Sequence, residues 1–122
     1  MYLDHINIVT PELKAATAFF TDILGLRVGF RPDFNFPGAW LYGSDDDIAL
    51  VHLVEGNIGS GPTGALDHVA FRGTDMASLT KTLDARDIDY TSRTVPTTGG
   101  KQVFFTAPFG LKIEVNFAPD TA

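Results

Sequence analysis

The distribution of apolar residues divides the chain into two halves with the same order of elements. Alternating apolar and polar positions predict strands, and apolar positions three or four residues apart predict helices. In the first half the predicted strands cover residues 2–9, 26–31, 39–43 and 48–54, and a helix begins at Thr10-Pro11 and ends before Gly25. In the second half the strands cover residues 65–72, 88–93, 101–107 and 111–117, and a helix begins at Thr74-Asp75. Each half is therefore predicted to form a β-α-β-β-β module of an α+β fold.

The boundary between the halves is rich in glycine. Residues 56–64 contain four glycines and Pro62, a composition typical of a linker. We therefore predict one domain over residues 1–122, with module one at 1–55, the linker at 56–64 and module two at 65–122. The run Ser44-Asp45-Asp46-Asp47 is interpreted as a solvated turn rather than a calcium site.

A repeated motif relates the two modules. Leu3-Asp4-His5-Ile6 recurs 63 residues later as Leu66-Asp67-His68-Val69. A shift of 62 residues aligns His52 with Glu114. The repeat therefore aligns potential metal ligands at two places, His5 with His68 and His52 with Glu114. The three histidines of the chain all lie at these repeat-related positions. A pseudo-two-fold between the modules is expected to bring the four side chains together.

Composition restricts the kind of site and the kind of partner. The net charge of −6 and pI of about 4.7 argue against a nucleic-acid partner, and no apolar run approaches a membrane span. The N-terminus lacks a signal peptide, so we expect a cytoplasmic protein. Because the chain has no cysteine, a metal site must use imidazole and carboxylate ligands, which suit Fe, Ni, Zn, Mn or Co.

Four residues are the candidate ligands of one divalent metal ion: His5, His52, His68 and Glu114. A six-coordinate ion would keep two adjacent positions for vicinal oxygens of a substrate and act on it as a Lewis acid. Glu114 is also a candidate general base, and His52 is either a ligand or an acid–base group beside the metal.

Candidate substrate-binding residues lie around the predicted loop at 32–38. Phe34, Phe36 and Trp40 either line an apolar pocket or fill the core and a dimer seam. Arg31 and Lys101 are candidates to bind a substrate anion, although exposed cations often have no specific role. Asn7 shares the predicted strand face of His5 and is a candidate to orient the substrate.

Together these motifs resemble the vicinal oxygen chelate superfamily, which includes glyoxalase I, bleomycin-resistance proteins, methylmalonyl-CoA epimerases and extradiol dioxygenases. The likeness runs from Leu3-Asp4-His5 to Lys112-Ile113-Glu114-Val115 and includes Phe19-Phe20-Thr21-Asp22-Ile23-Leu24-Gly25-Leu26. It implies paired modules around a metal-lined cup, the glyoxalase/bleomycin resistance/dioxygenase fold, usually in a homodimer. In many members the site is shared, which here would place His5 and His52 on one subunit and His68 and Glu114 on the other.

The resemblance leaves three functions open. The first is a lyase or isomerase of the glyoxalase type, acting through an enediolate; glyoxalase I, however, usually has a carboxylate where this chain has His52. The second is an Fe(II) ring-cleaving dioxygenase, whose two histidines and one glutamate His5, His68 and Glu114 would supply. The third is a metal-free drug-binding protein, which the three histidines in register disfavour. The turn Ala107-Pro108-Phe109-Gly110 lacks the aspartate usual in the family.

Overall fold

The protein folds into eight strands and two helices within the residues described by the computed structural model, which are 1–43, 47–108 and 110–121. Module one contains β1 (Tyr2–Thr10), α1 (Leu13–Asp22), β2 (Arg27–Val28), β3 (Gly38–Tyr42) and β4 (Ala49–Glu55). Module two contains β5 (Leu66–Arg72), α2 (Met76–Ala85), β6 (Thr91–Thr94), β7 (Lys101–Thr106) and β8 (Lys112–Phe117). The predicted order of elements is confirmed. Of the predicted turns, residues 44–46 and Phe109 lie outside the described residues.

All eight strands belong to one mixed sheet with the order β2-β3-β4-β1-β5-β8-β7-β6. The two modules meet where β1 pairs with β5 in antiparallel orientation, and each of these strands pairs with the last strand of its own module in parallel. The four central strands, β4, β1, β5 and β8, are those that were predicted to hold the histidines and Glu114.

The register between β1 and β5 shows the internal symmetry. His5 is opposite Ala70, and Asn7 is opposite His68. A shift of 63 residues converts the first pair into the second, so the two modules are related by a pseudo-two-fold at this seam. The register shifts at two places. Asp4 is skipped between Leu3 and His5, and Asp67 is skipped on the strand opposite Asn7 and Ile8. Each module thus has one irregularity of the β-bulge type at the aspartate that precedes its histidine.

Apolar side chains on one face of the sheet form two cores, one under each helix. Leu41, Val51 and Leu53 pack with residues of α1 such as Leu13 and Phe20. The corresponding core of module two consists of Leu83, Val103, Val115 and Phe117, with Met76 and Leu79 of α2 packed against it. The described helices are too short and insufficiently apolar to cross a membrane.

The opposite face of the sheet carries the buried polar side chains. These are His5, Asn7, His52, His68, Gln102, Glu114 and Asn116. Because buried polar groups need partners, this face is where a ligand or a polar network is expected.

Two predicted boundaries were wrong. Helix α1 begins at Leu13, because Thr10 still pairs with Glu55 in the sheet and its hydroxyl accepts a hydrogen bond from the Glu12 amide at 3.0 Å. The second strand is reduced from residues 26–31 to Arg27–Val28. Beyond Val28 the chain leaves the ladder, and the Phe30 carbonyl accepts a hydrogen bond from the Tyr42 hydroxyl instead of a strand amide.

The start of the sixth strand also differs from prediction, which placed it at residue 88. The strand begins at Thr91, since the Ile88 amide bonds to the Leu83 carbonyl at the end of α2. The intervening Asp87 has a positive φ of 54°, which turns the chain away from the helix.

Gly38 occupies a position without room for a side chain. A Cβ atom there would collide with the Leu53 carbonyl oxygen and lie 2.7 Å from Nη2 of Arg31. Backbone oxygen atoms cannot move away as flexible side chains do, so a substitution must displace β3 or β4.

We expect Gly38→Ala to lower the free energy of unfolding by about 1–3 kcal/mol, because it overpacks the β3–β4 seam. Gly59→Ala is the matched control, since nothing lies within 4 Å of a Cβ at that position. Urea unfolding of both variants measures the difference. Equal stability of the two variants would contradict the described close contact.

Candidate metal centre

Three of the predicted ligands meet at the centre of the polar face. The ligand atoms of His5, His68 and Glu114 lie within 4.8 Å of one another, and all three residues are buried. Nε2 of His68 is 3.0 Å from Oε1 of Glu114, and Nε2 of His5 is 3.4 Å from Oε2. We refer to His5, His68 and Glu114 as the ligand cluster.

The sheet register explains this convergence. Ala70 on β5 is opposite His5 on β1 and also opposite Glu114 on β8. Its methyl group is small and fully buried, so the longer side chains on either side reach over it toward each other. A larger residue at position 70 would separate them.

Each histidine of the cluster is held by the aspartate that precedes it. Nδ1 of His5 is 2.8 Å from Oδ2 of Asp4, and Nδ1 of His68 is 2.7 Å from Oδ2 of Asp67. Adjacent residues in a regular strand point to opposite faces, but the bulges at Asp4 and Asp67 allow each pair to meet. A carboxylate at Nδ1 favours the tautomer with hydrogen on that nitrogen and leaves the lone pair of Nε2 facing the cluster.

The sequence interpretation missed these two aspartates as functional residues. Both are within the repeated Leu-Asp-His triplet, so the repeat itself contained the signal. Burial raises the pKa of each carboxyl group, but the hydrogen bond to the neighbouring histidine and the charge of Arg72 or Lys112 outweigh it. The pKa values of Asp4 and Asp67 are therefore below their ordinary values.

The cluster requires positive charge. Nε2 of His5, Nε2 of His68 and Oε2 of Glu114 are buried and have no hydrogen-bond partner among the described residues. With hydrogen on both Nδ1 atoms, all three are acceptors facing one another, which is unfavourable unless a cation lies between them. Two imidazole nitrogens and one carboxylate fit Mn, Fe, Co, Ni or Zn, so the chemistry of these residues matches a divalent ion.

The ionisation of Glu114 agrees with this requirement. Burial by itself would raise its pKa, but the neighbouring side chains of His68 and His5 hold the pKa below its ordinary value. The carboxyl group is thus ionised at this depth, which is the form that would bind a metal ion.

His52 lies beside the cluster in a stack of rings. Its imidazole is 3.5 Å from the His5 ring and 3.8 Å from the Trp40 ring, with interplanar angles of 15° in both cases. The group of ligand atoms within 4.8 Å includes His5, His68 and Glu114 but not His52. Burial, and then the charges of His5 and His68, lower the pKa of His52 to about 2, so the ring is neutral at physiological pH.

A cavity of about 240 Å³ lies against His68 and Glu114. Its walls include five of the six predicted substrate-binding residues, namely Asn7, Arg31, Phe34, Phe36 and Trp40. The loop between β2 and β3 therefore supplies part of the cavity wall. Oδ1 of Asn7, another residue of the wall, is buried and has no hydrogen-bond partner among the described residues. Sequence reasoning missed seven further residues of the wall, which are Val9, Val54, Asp67, Arg93, Gln102, Phe104 and Lys112.

The sixth predicted residue, Lys101, lines a different cavity of about 280 Å³, together with His5, Asp4 and Arg72. Trp40, His52 and Gln102 line both cavities and so form the partition between them. We call the cavity with Arg31 the arginine cavity and the cavity with Lys101 the lysine cavity.

Solved structures share this architecture. The Mn(II)-bound glyoxalase from Novosphingobium aromaticivorans matches 97% of this chain and 38% of its own, with a TM-score of 0.73 and 20% identity. The 2,3-dioxygenase LapB from a Pseudomonas species matches 96% of this chain and 40% of its own, with a TM-score of 0.77 and 22% identity. This chain therefore spans about two fifths of the length of these two relatives.

A third relative is about as long as this chain. A variant of Streptomyces coelicolor methylmalonyl-CoA epimerase, in complex with 2-nitronate-propionyl-CoA, matches 97% of both chains with a TM-score of 0.73 and 19% identity. At these identities the likeness establishes the fold alone. A search of curated proteins finds no significant sequence match.

The family assignment comes from a sequence model. The model of the Glyoxalase/Bleomycin resistance protein/Dioxygenase superfamily matches residues 2–115, which include every member of the ligand cluster and both flanking aspartates. Since the match covers nearly the whole chain and the fold agrees with it, the protein belongs to the Glyoxalase/Bleomycin resistance protein/Dioxygenase superfamily.

Proposed function

We propose that the protein is a divalent-metal-dependent lyase or isomerase of the glyoxalase type, which acts on a small molecule with two vicinal oxygens. The observation that carries the proposal is the ligand cluster, with three buried acceptor atoms facing one another beside a cavity. His5, His68 and Glu114 would hold the ion. When bound, it would supply Lewis-acid stabilisation of negative charge on the substrate oxygens.

The residues of the chain have separate tasks in this proposal. Asp4 and Asp67 fix the imidazole rings with Nε2 directed inward. Asn7 offers an unpartnered amide oxygen to a substrate hydroxyl, and the aromatic wall excludes water from the reacting atoms. Glu114 is ionised and buried, and we assign to it the removal of a proton from carbon next to a carbonyl group.

We propose a role for His52 other than the fourth-ligand role that its repeat position suggests. We propose that the neutral ring stacks on His5, restrains its plane, and offers a nitrogen to the substrate as an acid–base or hydrogen-bonding group. A fourth-ligand role, as the sequence predicts, is the alternative that the metal measurement below distinguishes.

The assembly of the protein is also a proposal. The ligand cluster comes together within one chain, because β1 pairs with β5 of the same chain. A site shared between subunits is therefore unnecessary for the cluster. We propose a cytoplasmic homodimer with a small-molecule substrate and with neither nucleic acid nor membrane as a partner.

A ring-cleaving Fe(II) dioxygenase is the second candidate. It is favoured by the composition of the cluster, since two histidines and one carboxylate with open positions are typical of non-haem Fe(II) oxygenases. The rings of Phe34, Phe36 and Trp40 in the adjacent wall also suit an aromatic substrate.

The metal content of untagged protein purified without chelators tests the cluster. We expect about one divalent ion per chain in the wild type and none in a His5→Ala/Glu114→Ala double variant, since the latter keeps a single ligand. His52→Gln should retain the ion because its ring lies outside the cluster. Elemental analysis gives both the amount and the identity of the metal.

Two other results would change the assignment. Loss of the ion in His52→Gln, in a folded protein, would make His52 the fourth ligand. A wild type that holds no ion and takes up none from a panel of divalent salts would exclude both enzyme proposals and leave a metal-free binding protein.

The two aspartates provide a second test. Asp4→Asn and Asp67→Asn should each weaken Co²⁺ binding by about 10- to 100-fold, because each histidine loses the carboxylate that fixes its tautomer. Asp89→Asn is a charge-matched control at an exposed position. Competition with a chromophoric chelator measures the affinity. Unchanged affinity in both variants would show that the Asp–His pairs do not orient the ligands.

The reaction is tested by two assays on the metal-loaded protein. Exchange of a carbon-bound proton for deuterium in small 2-hydroxy carbonyl compounds, followed by NMR, is expected for the lyase or isomerase, and Glu114→Gln should slow it by about 10²–10⁴-fold. Oxygen uptake with catechols in the presence of Fe(II), without such exchange, would favour the dioxygenase instead. Neither activity across the panels would contradict both proposals.

A further inference from the structure

Two arginines of the arginine cavity lack a carboxylate partner among the residues that the structure describes. Nη2 of Arg31 donates to the Phe36 carbonyl at 2.9 Å, and its Nε is buried without a partner. Nε of Arg93 donates to Oε1 of Gln102 at 2.6 Å. In the described part of the chain neither guanidinium forms an ion pair, whereas Lys112 of the same cavity is 3.2 Å from Asp67.

Aromatic rings fix both guanidinium groups in place. The Arg31 and Arg93 carbons Cζ lie 5.1 Å and 5.4 Å from the centre of the Phe34 ring. Arg31 is also 5.0 Å from the ring of Phe36, and Arg93 is 5.6 Å from that of Phe104. Cation–π contacts of this kind occupy the faces of a guanidinium and leave its N–H edges for a ligand.

The backbone around Arg31 is adapted to this arrangement. The guanidinium lies over Gly38, where a Cβ atom would approach Nη2 to 2.7 Å. Gln102, which receives the hydrogen bond from Arg93, is itself buried and donates onward to Asn116 at 3.2 Å. Arg31 is therefore restrained by half-buried neighbours, and the exposed Arg93 is restrained by its hydrogen bond to the buried Gln102.

The charge in the cavity is opposite to that of the protein as a whole. The chain has a net charge of −6, yet the wall of the arginine cavity has three cations, Arg31, Arg93 and Lys112, and two carboxylates, Asp67 and Glu114. Asp67 is already paired with Lys112, and Glu114 is a member of the ligand cluster, where a metal ion would offset its charge. Arg31, which is half-buried, and Arg93, which is exposed, remain without a carboxylate partner among the described residues, so an anion in the cavity would supply a counter-charge to both.

The size of the cavity limits what the anion can be. A volume of about 240 Å³ holds on the order of eight water molecules. A single ring with one or two small substituents has this size. The aromatic side chains Phe34, Phe36, Trp40 and Phe104 supply flat apolar surfaces for such a ring.

We infer that the substrate is a small planar acid whose carboxylate binds between Arg31 and Arg93. Its ring or conjugated body packs among the aromatic side chains, and its vicinal oxygens are presented to the ligand cluster at the other wall. Arg93, which no motif in the sequence singled out, is then a specificity-determining residue. This inference rests on the proposed function for the reaction but not for the binding of the anion.

Binding of benzoate and of its neutral isostere benzamide tests the inference. Trp40 is the single tryptophan of the chain and lines the cavity, so its fluorescence reports occupancy without any turnover. We expect benzoate to bind at least tenfold more tightly than benzamide, and Arg31→Met and Arg93→Met each to weaken benzoate about tenfold or more. Arg86→Met, at an exposed position after α2, removes the same charge and should change the affinity less than twofold.

A charge-retaining variant and titrations with and without metal distinguish loss of the anion site from misfolding and from binding to the metal. Arg31→Lys retains the charge if Arg31→Met fails to fold, and it should bind benzoate more weakly than the wild type because a bidentate contact is lost. The titrations are made on metal-loaded and metal-depleted protein, since a metal ion also binds carboxylates. Equal binding of benzoate and benzamide, or benzoate affinity unaffected by both arginine variants, would overturn the inference.

The metal content of the same samples separates this inference from the proposed function. Protein that holds its ion but shows no arginine-dependent binding of benzoate would overturn the substrate class and leave the metal enzyme. Arginine-dependent binding by protein that takes up no metal would support the anion site and exclude the metal-dependent reaction.

Discussion

The antiparallel pairing of β1 with β5 is the constraint on which the site depends. This seam carries both bulges, and the bulges bring each aspartate to the same side as the histidine that follows it. Because the pairing relates the modules by a pseudo-two-fold, the two Asp–His pairs approach from opposite directions. Glu114 on β8 then meets both Nε2 atoms across the small Ala70. A shift of the register by one residue would move the histidines to the face covered by the helices.

The distribution of apolar residues keeps the site on one side of the sheet. Both helices pack on the same face, where they cover two separate cores. On the other face, the polar side chains form hydrogen bonds with one another. Arg93 is linked through Gln102 to Asn116, whose amide is 3.5 Å from Asp4, which in turn contacts His5. A residue that lines the arginine cavity is thus joined to a member of the ligand cluster by a series of side-chain hydrogen bonds through the buried Gln102 and Asn116, so a change at one end is expected to alter the other.

The repeat in the sequence was enough to predict the modules, the strand faces and the convergence of His5, His68 and Glu114. In a regular strand, adjacent side chains point to opposite faces of the sheet. This rule places Asp4 away from His5, so it could not predict the Asp–His pairs. The position of His52 could not be predicted either. It depends on the register of β3 against β4, which places Trp40 opposite His52 and builds the stack on His5. Arg93 was missed because the contact that places it at the cavity is with Phe34, 59 positions earlier in the chain.

The two cavities beside the stacked rings of Trp40, His52 and His5 are not equivalent. The lysine cavity reaches His5 and its partner Asp4, whereas the arginine cavity reaches His68 and Glu114. Arg31 and Lys101 look alike in the sequence as candidate anion-binding residues, yet they lie on opposite sides of this partition. On the lysine side the carboxylate of Asp4 faces Arg72 at 3.5 Å, so positive charge there is partly satisfied by the protein. On the arginine side two guanidinium groups remain without an internal counter-charge in the described residues, next to two of the three cluster residues. The proposed anionic substrate would therefore be drawn to the side from which His68 and Glu114 are reached, and His52 forms part of the wall between the two cavities.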